Sequence, residues 1–248
     1  MTLYHYTTIE TLHAIVSNIK AEHEESIRFS LWATHAGFLN DLTEGQLLAK
    51  ALKRLGVHEG ILNTLIGMQG YPFVISLSEL DDDLNMWRCY ANQGKGVAIG
   101  LDKEVIEDAI KHQNGNHVVD FGICNYYSEE ELVEYLRKNG VESMIKDKNL
   151  LPLSKLLSEA LLFKNKSFEA EKEWRIYSNY LESGYRVVDN LIVPYYKVLL
   201  PIEAMTSVTF GPRCDYEKNS FSTYRLIKSV IGPRVDKIKL EKSMVPLT

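Results

Sequence analysis

Cysteine is scarce in this 248-residue chain, and its three cysteines lie far apart. Cys89, Cys124 and Cys214 form no CxxC pair, and their odd number argues against a disulfide framework. Long apolar runs are missing too. The amino-terminal MTLYHYTT lacks the basic and apolar segments of a signal peptide, and no stretch approaches the roughly 18 apolar residues of a membrane span. We therefore expect a cytoplasmic protein without a membrane partner.

Several nucleotide-binding and metal-binding motifs are also absent. Gly94 and Gly96 stand alone, so the chain has neither a GxGxxG dinucleotide loop nor a GxxxxGK[ST] phosphate loop. The seven histidines form no HExxH, and His112 and His117 have no cysteine nearby, so we expect no metal site. A GxSxG nucleophile elbow is missing as well. Rossmann, P-loop and zinc chemistry are therefore disfavoured.

The charge balance is mildly acidic, with a net charge of -5 and a pI of about 5.8. Domains that bind nucleic acid broadly are basic, so the composition shows no such footprint, although it leaves room for a small basic patch. The 45% hydrophobic and 25% charged residues are ordinary values for a globular protein. The length fits one large domain or two small ones.

The predicted elements follow an irregular order. The first segment, residues 3–6, is expected to be a strand, and a capping box of Thr7 with Glu10 is expected to open the helix after it. Apolar patterns predict further strands at Ser26–Trp32, Phe73–Ser78, Gly96–Leu101, Val118–Tyr126, Glu173–Tyr180, Tyr185–Val193, Tyr196–Leu200, Ser207–Phe210 and Val235–Leu240. Helical spacing predicts Glu59–Met68, Asp81–Ala91, Val105–His112, Ser128–Asn139, Leu153–Asn165 and Ser220–Val230. Strict strand–helix alternation is absent, so one α+β domain over residues 1–248, with a mixed sheet core and peripheral helices, is the simplest interpretation.

Two polar segments suggest ligand contacts. His5 lies just before a helix start and could hydrogen-bond a ribose hydroxyl, and an edge histidine bonded to the backbone is the structural alternative. Ser76 and Ser78 share one face of their predicted strand. If buried, both hydroxyls need partners, and a ligand could supply them. A solvated outer face is the alternative.

An aromatic helix and a carboxylate pair follow. The ring of Tyr90 suits stacking on a flat ring such as nicotinamide, whereas core packing is the favoured role of Trp87. Glu171 and Glu173 share a face if a strand begins there, and adjacent carboxylates raise at least one pKa unless a cation or ligand compensates. Lys172 and Arg175 are close but partly on the opposite face. A charged loop entering a strand is the alternative.

The segments HYTT, NDLTEG, SLSE, MWRCYA, GKGVAIG, EKEWR and FGP occur in this order over most of the chain. The ordered set resembles a large bacterial family known mainly as a domain of unknown function. Members of that family are similar to ADP-ribosyltransferases, and many occur in phage-defence or toxin settings. The resemblance implies a split mixed sheet that binds NAD in a cleft.

The resemblance also implies where NAD is bound. His5, beside Tyr6, matches the early-strand residue that contacts the ribose, as in transferases of the diphtheria-toxin type. Ser76-Leu77-Ser78 matches the Ser-x-Ser strand of the arginine-type branch. Tyr90 matches the aromatic residue under the nicotinamide. Arg88 or Arg175 is expected at the pyrophosphate, because guanidinium groups suit phosphate oxygens.

The same resemblance implies the reacting carboxylates. Glu171-Lys172-Glu173 matches the Glu-x-Glu that opens the catalytic strand. Glu173 is expected to stabilise the oxocarbenium-like transition state, and Glu171 is expected to orient or deprotonate the acceptor.

Three functions compete at this point. The first is an NAD-dependent ADP-ribosyltransferase, a toxin or defence effector that modifies nucleic acid or protein or hydrolyses NAD, with an antitoxin or defence-system component as its implied partner. The second is a catalytically silent module that binds a nucleotide or a partner protein. The third is a nuclease with Asp41, Glu44 and Asp81 as metal ligands.

Overall fold

The computed structural model describes residues 1–23, 26–39, 46–68, 72–112, 119–147, 155–157, 159–178, 182–188 and 190–246. Within these ranges the chain mixes helices with strands that pair mostly antiparallel, as the α+β prediction requires. No helix in this part of the chain has the length and apolar character that crossing a membrane requires.

The strands are, in chain order, β1 (Thr2–Thr7), β2 (Lys20–His23), β3 (Ser26–His35), β4 (Phe73–Ser78), β5 (Val97–Asp102), β6 (Val119–Ile123), β7 (Asn125–Tyr127), β8 (Phe163–Asn165), β9 (Glu173–Ser178), β10 (Gly184–Val188), β11 (Leu191–Pro201), β12 (Met205–Phe210) and β13 (Lys239–Lys242). The α-helices are α1 (Ile9–Ser17), α2 (Gln46–Arg54), α3 (Glu59–Met68), α4 (Leu84–Tyr90), α5 (Lys103–His112), α6 (Glu129–Lys138), α7 (Val141–Lys146) and α8 (Tyr216–Ile231).

The chain forms two compact units. Unit 1 comprises Met1–Trp32, Ser76–Gly115 and Lys197–Thr248, and unit 2 comprises Ala33–Ile75 and Asn116–Tyr196. Each unit is built from segments that are distant in sequence. The single domain expected over residues 1–248 stays a prediction.

Unit 1 is built on a sheet in which β1 pairs antiparallel with β5, and β5 pairs antiparallel with β12. The last strand, β13, runs parallel to β12, and the connection between them contains α8. A parallel neighbour requires such a crossover, so the helix follows from the pairing. Trp87 on α4 is fully buried, as the sequence predicted, in a cluster of Tyr6, Met86, Trp87, Ala91 and Ala98.

Unit 2 has a helical core and several strand pairs. Helices α2 and α6 supply most of one apolar cluster, which contains Leu47, Leu48, Ala51, Leu52, Leu132, Val133 and Leu136. β6 pairs antiparallel with β9, and β10 with β11. β7 and β8 form a short parallel pair with Asn125 opposite Phe163.

Several predicted boundaries are wrong in unit 2, and two of them have a clear physical reason. The helix predicted over Leu153–Asn165 ends before Phe163, because Phe163–Asn165 is strand β8. A short apolar run does not distinguish a helix from a buried strand, and here the pairing with β7 decides. The strand predicted over Tyr185–Val193 is interrupted by Asn190, which has φ 63°, a conformation that asparagine tolerates well.

The first helix is capped one residue later than predicted. Thr8 is its N-cap, and its hydroxyl accepts a hydrogen bond from the Thr11 backbone N–H at 3.2 Å. Thr7 is the last residue of β1 and is buried. The predicted capping box of Thr7 with Glu10 is therefore wrong, because the strand extends through Thr7.

Gly96, the residue before β5, gives the first stability prediction. A Cβ atom on Gly96 would lie 2.1 Å from the Thr7 carbonyl oxygen and 2.9 Å from that of Ala91. Both are backbone atoms that cannot rotate away, so we expect Gly96→Ala to destabilise the protein by about 3 kcal/mol or more. Gly60→Ala is the control, because its Cβ would meet the His58 ring alone, and we expect a change below about 1 kcal/mol. Urea denaturation of both variants measures the difference, and equal effects would contradict the close approach.

Candidate functional site

The ring of His5 lies beside the short register between β1 and β4. β1 pairs with β5 along all six of its residues, but its register with β4 consists of the single pair Tyr4 and Ser78. Next to that pair, Nδ1 of His5 lies 3.0 Å from the carbonyl oxygen of Ser76. A side chain therefore bridges β1 and β4 where backbone pairing stops, and it fixes the orientation of the half-buried imidazole.

Tyr6, the other residue of β1 predicted to contact NAD, has its hydroxyl hydrogen-bonded to backbone groups of the protein. Its hydroxyl donates to the Leu80 carbonyl at 3.0 Å and accepts from the Asp83 backbone N–H at 3.2 Å. Its ring packs edge-on against Trp87, with 4.9 Å between centroids. Burial raises the pKa of this hydroxyl above its usual range, so it stays protonated. Tyr6 therefore holds the turn that leads into α4.

The two predicted serines have different surroundings. Ser76 is exposed, whereas Ser78 is 1% exposed. The Ser78 hydroxyl accepts a hydrogen bond from the Leu80 backbone N–H at 3.0 Å. Ser78 thus stabilises the end of β4, and the exposed Ser76 is the serine that solvent or a ligand can reach.

Helix α4 carries the predicted aromatic and cationic residues. Asp83 caps the helix and accepts from the backbone N–H groups of Asn85 and Met86. Tyr90, at the end of α4, is half-buried against the cluster that contains Tyr6 and Trp87, and Arg88 is exposed. Unit 1 therefore brings His5, Ser76, Arg88 and Tyr90 into one compact body.

A carboxylate holds α4 to the carboxyl-terminal segment. Asp82, with φ 45°, accepts from the Trp87 indole N–H at 2.7 Å and from the Ser243 hydroxyl at 2.5 Å. Its second oxygen accepts from the Met244 backbone N–H at 2.7 Å. The indole that anchors Tyr90's helix is thus fixed by a residue in a strained turn.

The metal hypothesis gains no support from the described residues. Asp81 hydrogen-bonds the Tyr4 hydroxyl, whose pKa rises to about 12 through burial and the nearby Asp81 charge. Asp41 and Glu44 lie outside the described residues. No group of three or more metal-binding side chains is placed to hold an ion in the part of the chain that the structure describes.

The predicted carboxylates in unit 2 belong to a buried ionic group. Glu173, the first residue of β9, is 3% exposed. Its Oε1 accepts from Nε of Arg175 at 2.8 Å, and its Oε2 accepts from Nη2 of Arg175 at 3.1 Å and from Nζ of Lys164 at 2.5 Å. The Lys164 ammonium also donates to Oε2 of Glu171 at 2.6 Å. Two cations therefore compensate two carboxylates.

The backbone of Glu173 is fixed as firmly as its side chain. Its N–H donates to the Tyr126 hydroxyl at 2.6 Å, and its carbonyl accepts from the Cys124 N–H at 2.9 Å. Arg175 in turn donates from Nη1 to the Leu161 carbonyl at 2.5 Å. The orientation of the Glu173 carboxylate is therefore set by several neighbouring segments.

The neighbouring opposite charges determine the pKa values of Glu173 and Lys164. Burial opposes ionisation of Glu173, but the charges and hydrogen bonds of Arg175 and Lys164 outweigh it and hold the pKa of Glu173 at about 2. Burial likewise opposes the charge on Lys164, yet the two carboxylates raise its pKa above the usual range. The pair expected from sequence to need a cation or ligand has its cations within the fold.

The sequence interpretation missed Lys164 and misplaced Arg175. Lys164 was assigned to a helix, so nothing placed it near β9. Arg175 shares the face of Glu173 because residues two apart in a strand point the same way, and the expected placement partly on the opposite face is wrong. Glu171 has a side chain 19% exposed, and it is the more accessible carboxylate of the pair.

Comparison with known protein families gives a match in the middle of the chain. Residues 86–176, from α4 to β9, match the profile of a family described as a protein of unknown function (DUF2971). No curated protein and no solved structure matches the chain. The expected domain of unknown function is thus found over this segment, which contains Tyr90 and both carboxylates but not His5 or Ser76.

Removal of the Glu173 carboxylate tests the ionic group. We expect Glu173→Ala to destabilise the protein by about 3–5 kcal/mol, because Arg175 and Lys164 would keep buried charges without their partner. Glu169→Ala is the matched control, since this exposed carboxylate lies in the turn that precedes β9, and its effect should stay within about 0.5 kcal/mol. Similar unfolding free energies in urea for the two variants would contradict the buried network.

Acid titration provides an independent test. The pKa of Glu173 falls from an unfolded value of 4.5 to about 2 in the fold, so its stabilisation is complete above pH 4.5 and is lost as pH falls towards 2. The contribution at neutral pH is about 3 kcal/mol. We expect the unfolding free energy of Glu173→Gln to fall less over that window than that of the wild type. Parallel curves would show that Glu173 does not titrate as described.

Proposed function

We propose that this protein is an NAD-using, ADP-ribosyltransferase-like enzyme. The observation that carries the proposal is the short register between β1 and β4, the pair Tyr4 and Ser78, beside which the His5 ring is held on the Ser76 carbonyl. A split mixed sheet whose early strand carries a histidine is the feature that the resemblance to ADP-ribosyltransferases implies. The motif order HYTT, MWRCYA and EKEWR supports it from the sequence.

In this proposal the residues of unit 1 bind NAD. His5 hydrogen-bonds a ribose hydroxyl, and the half-buried ring of Tyr90 stacks on the nicotinamide. The exposed guanidinium of Arg88 pairs with the pyrophosphate. The exposed Ser76 offers a further hydroxyl. Tyr6 and Ser78 act indirectly, because their hydroxyls hold the turn between β4 and α4.

The resemblance assigns the chemistry to the carboxylates Glu171 and Glu173. The bond between nicotinamide and ribose breaks through an oxocarbenium-like transition state, nicotinamide leaves with the bonding electrons, and the acceptor forms the new bond to the ribose carbon. Glu173 is ionised at any physiological pH and is rigidly oriented, which are the properties of a preorganised anion that stabilises developing positive charge. The more accessible Glu171 takes the proton of the acceptor, or of water when NAD is hydrolysed.

The net charge of the protein only weakly indicates which class of molecule accepts the ADP-ribose. We propose nucleic acid or protein as acceptor and a toxin or phage-defence role restrained by an antitoxin or another defence component. The net charge of -5 disfavours a tight grip on nucleic acid through phosphate contacts. Transfer of label from biotinylated NAD in a cell lysate, followed by nuclease or protease treatment, identifies the acceptor class.

A catalytically silent binding module is the second candidate. It is favoured by the burial of Glu173, which is 3% exposed with both oxygens bonded to cations of the fold. In that case the ionic group stabilises unit 2, and binding of a nucleotide or partner requires no reacting carboxylate.

Nicotinamide release separates the two candidates. We expect wild-type protein to release nicotinamide from NAD, and Glu173→Gln to reduce the rate about 100- to 1,000-fold, because the preorganised anion is lost. Glu171→Gln should reduce transfer to an acceptor, whereas Glu169→Gln, an exposed carboxylate two residues earlier, should leave the rate unchanged. Chromatography of the reaction measures release, and circular dichroism shows that each variant is folded.

The opposite result has an equally definite meaning. If the wild type releases no nicotinamide, with or without cell lysate as a source of acceptor, the transferase proposal is wrong and the binding module takes its place. Thermal shift with NAD then shows whether the module binds the dinucleotide.

A further inference from the structure

Lys164 is an unusual lysine because it is 6% exposed. It lies in the middle of β8, where the parallel pairing with β7 places it opposite Tyr126. Its ammonium lies 4.8 Å from the centroid of the Phe168 ring. Lysine is rarely buried unless its charge is compensated, so we expect a buried Lys164 to have partners of opposite charge.

Lys164 lies between two carboxylates. Nζ lies 2.6 Å from Oε2 of Glu171 and 2.5 Å from Oε2 of Glu173. An ammonium has three donors, so it can bond both oxygens at once. Arg175 reaches Glu173 and the Leu161 carbonyl. Lys164 thus joins the two glutamates.

Tyr126 and Lys164 act on the same residue from neighbouring strands. The Tyr126 hydroxyl accepts from the Glu173 N–H, while the Lys164 ammonium bonds the Glu173 side chain. Because β7 and β8 pair in register at these two residues, one structural unit fixes both the backbone and the carboxylate of Glu173. Without the Lys164 ammonium, the carboxylates of Glu171 and Glu173 would lie near each other with less compensating positive charge.

We propose that Lys164 is a positioning residue that holds Glu171 and Glu173 side by side as oriented, charged carboxylates. Its electrostatic action stands on the contacts of unit 2 alone. Its consequence for catalysis rests on the proposed function, because only a reacting carboxylate pair needs to be held ionised and fixed.

The first experiment titrates Glu173 directly and needs no NAD. Protein labelled with carbon-13 at the glutamate carboxyl groups is titrated by NMR, with Glu173→Gln identifying the resonance. In wild type the pKa of Glu173 should be about 2. In Lys164→Met we expect it to rise by about 1–3 pH units, as loss of a contacting opposite charge predicts. Lys164→Arg should restore most of the decrease.

Lys166→Met is the matched control. Lys166 is exposed and pairs with Glu131 on α6, so the Glu173 titration should not change. A Glu173 pKa in folded Lys164→Met equal to that of the wild type overturns the proposal. Should Lys164→Met fail to fold by circular dichroism, Lys164→Gln, which keeps a hydrogen-bond donor, is titrated in its place, and the same two results decide.

The second experiment measures the pH profile of nicotinamide release. We expect Lys164→Met to move the acid limb of kcat to higher pH and to leave the KM for NAD within about twofold, since Lys164 orients a carboxylate and does not bind NAD. An unchanged profile, with release intact, overturns the catalytic part. Absence of release in the wild type refutes the proposed function instead, and the NMR titration alone then decides whether Lys164 positions the carboxylates.

Discussion

The buried ionic group around Glu173 is the interaction on which the geometry of unit 2 depends. A carboxylate removed from water is costly unless charges and hydrogen bonds satisfy it, and Glu173 obtains both from Arg175 and Lys164. The Lys164 ammonium reaches Glu173 because β8 pairs with β7. The sequence around Lys164 has no strand-like alternation. The Tyr126 hydroxyl, on β7, then fixes the first peptide of β9.

Polar groups also define unit 1, where they act through hydrogen bonds to the backbone. The hydroxyls of Tyr6 and Ser78 and the carboxylate of Asp82 together fix the turn between β4 and α4. This turn places Tyr90 against β1 and keeps Trp87 in the core. Beside the one register pair of β1 and β4, the His5 side chain bonds the Ser76 carbonyl and so links the two strands.

The ionic group of unit 2 has a definite chemical character. Glu173 is strongly acidic and immobile, whereas Glu171 shares its cation but is more accessible. A rigid anion costs no reorganisation during a reaction, which is why preorganised charge is effective in catalysis. The same rigidity also stabilises a fold that performs no chemistry. The residues that distinguish the two outcomes are therefore the carboxylates and Lys164, more than the aromatic and serine residues.

The sequence by itself determined the elements whose patterns are local. The Phe73–Ser78 strand, the Glu59–Met68 helix and the burial of Trp87 follow from periodicity and residue type, and the structure confirms them. Tertiary structure alone decided the partners of the charged and hydroxyl groups. Lys164 contacts Glu173 because β8 lies parallel to β7, and the Tyr6 hydroxyl is bonded to Leu80 and Asp83, more than seventy residues away. Hydrogen bonds and ion pairs depend on distances of a few ångströms between distant segments, and no local pattern of residues encodes those distances.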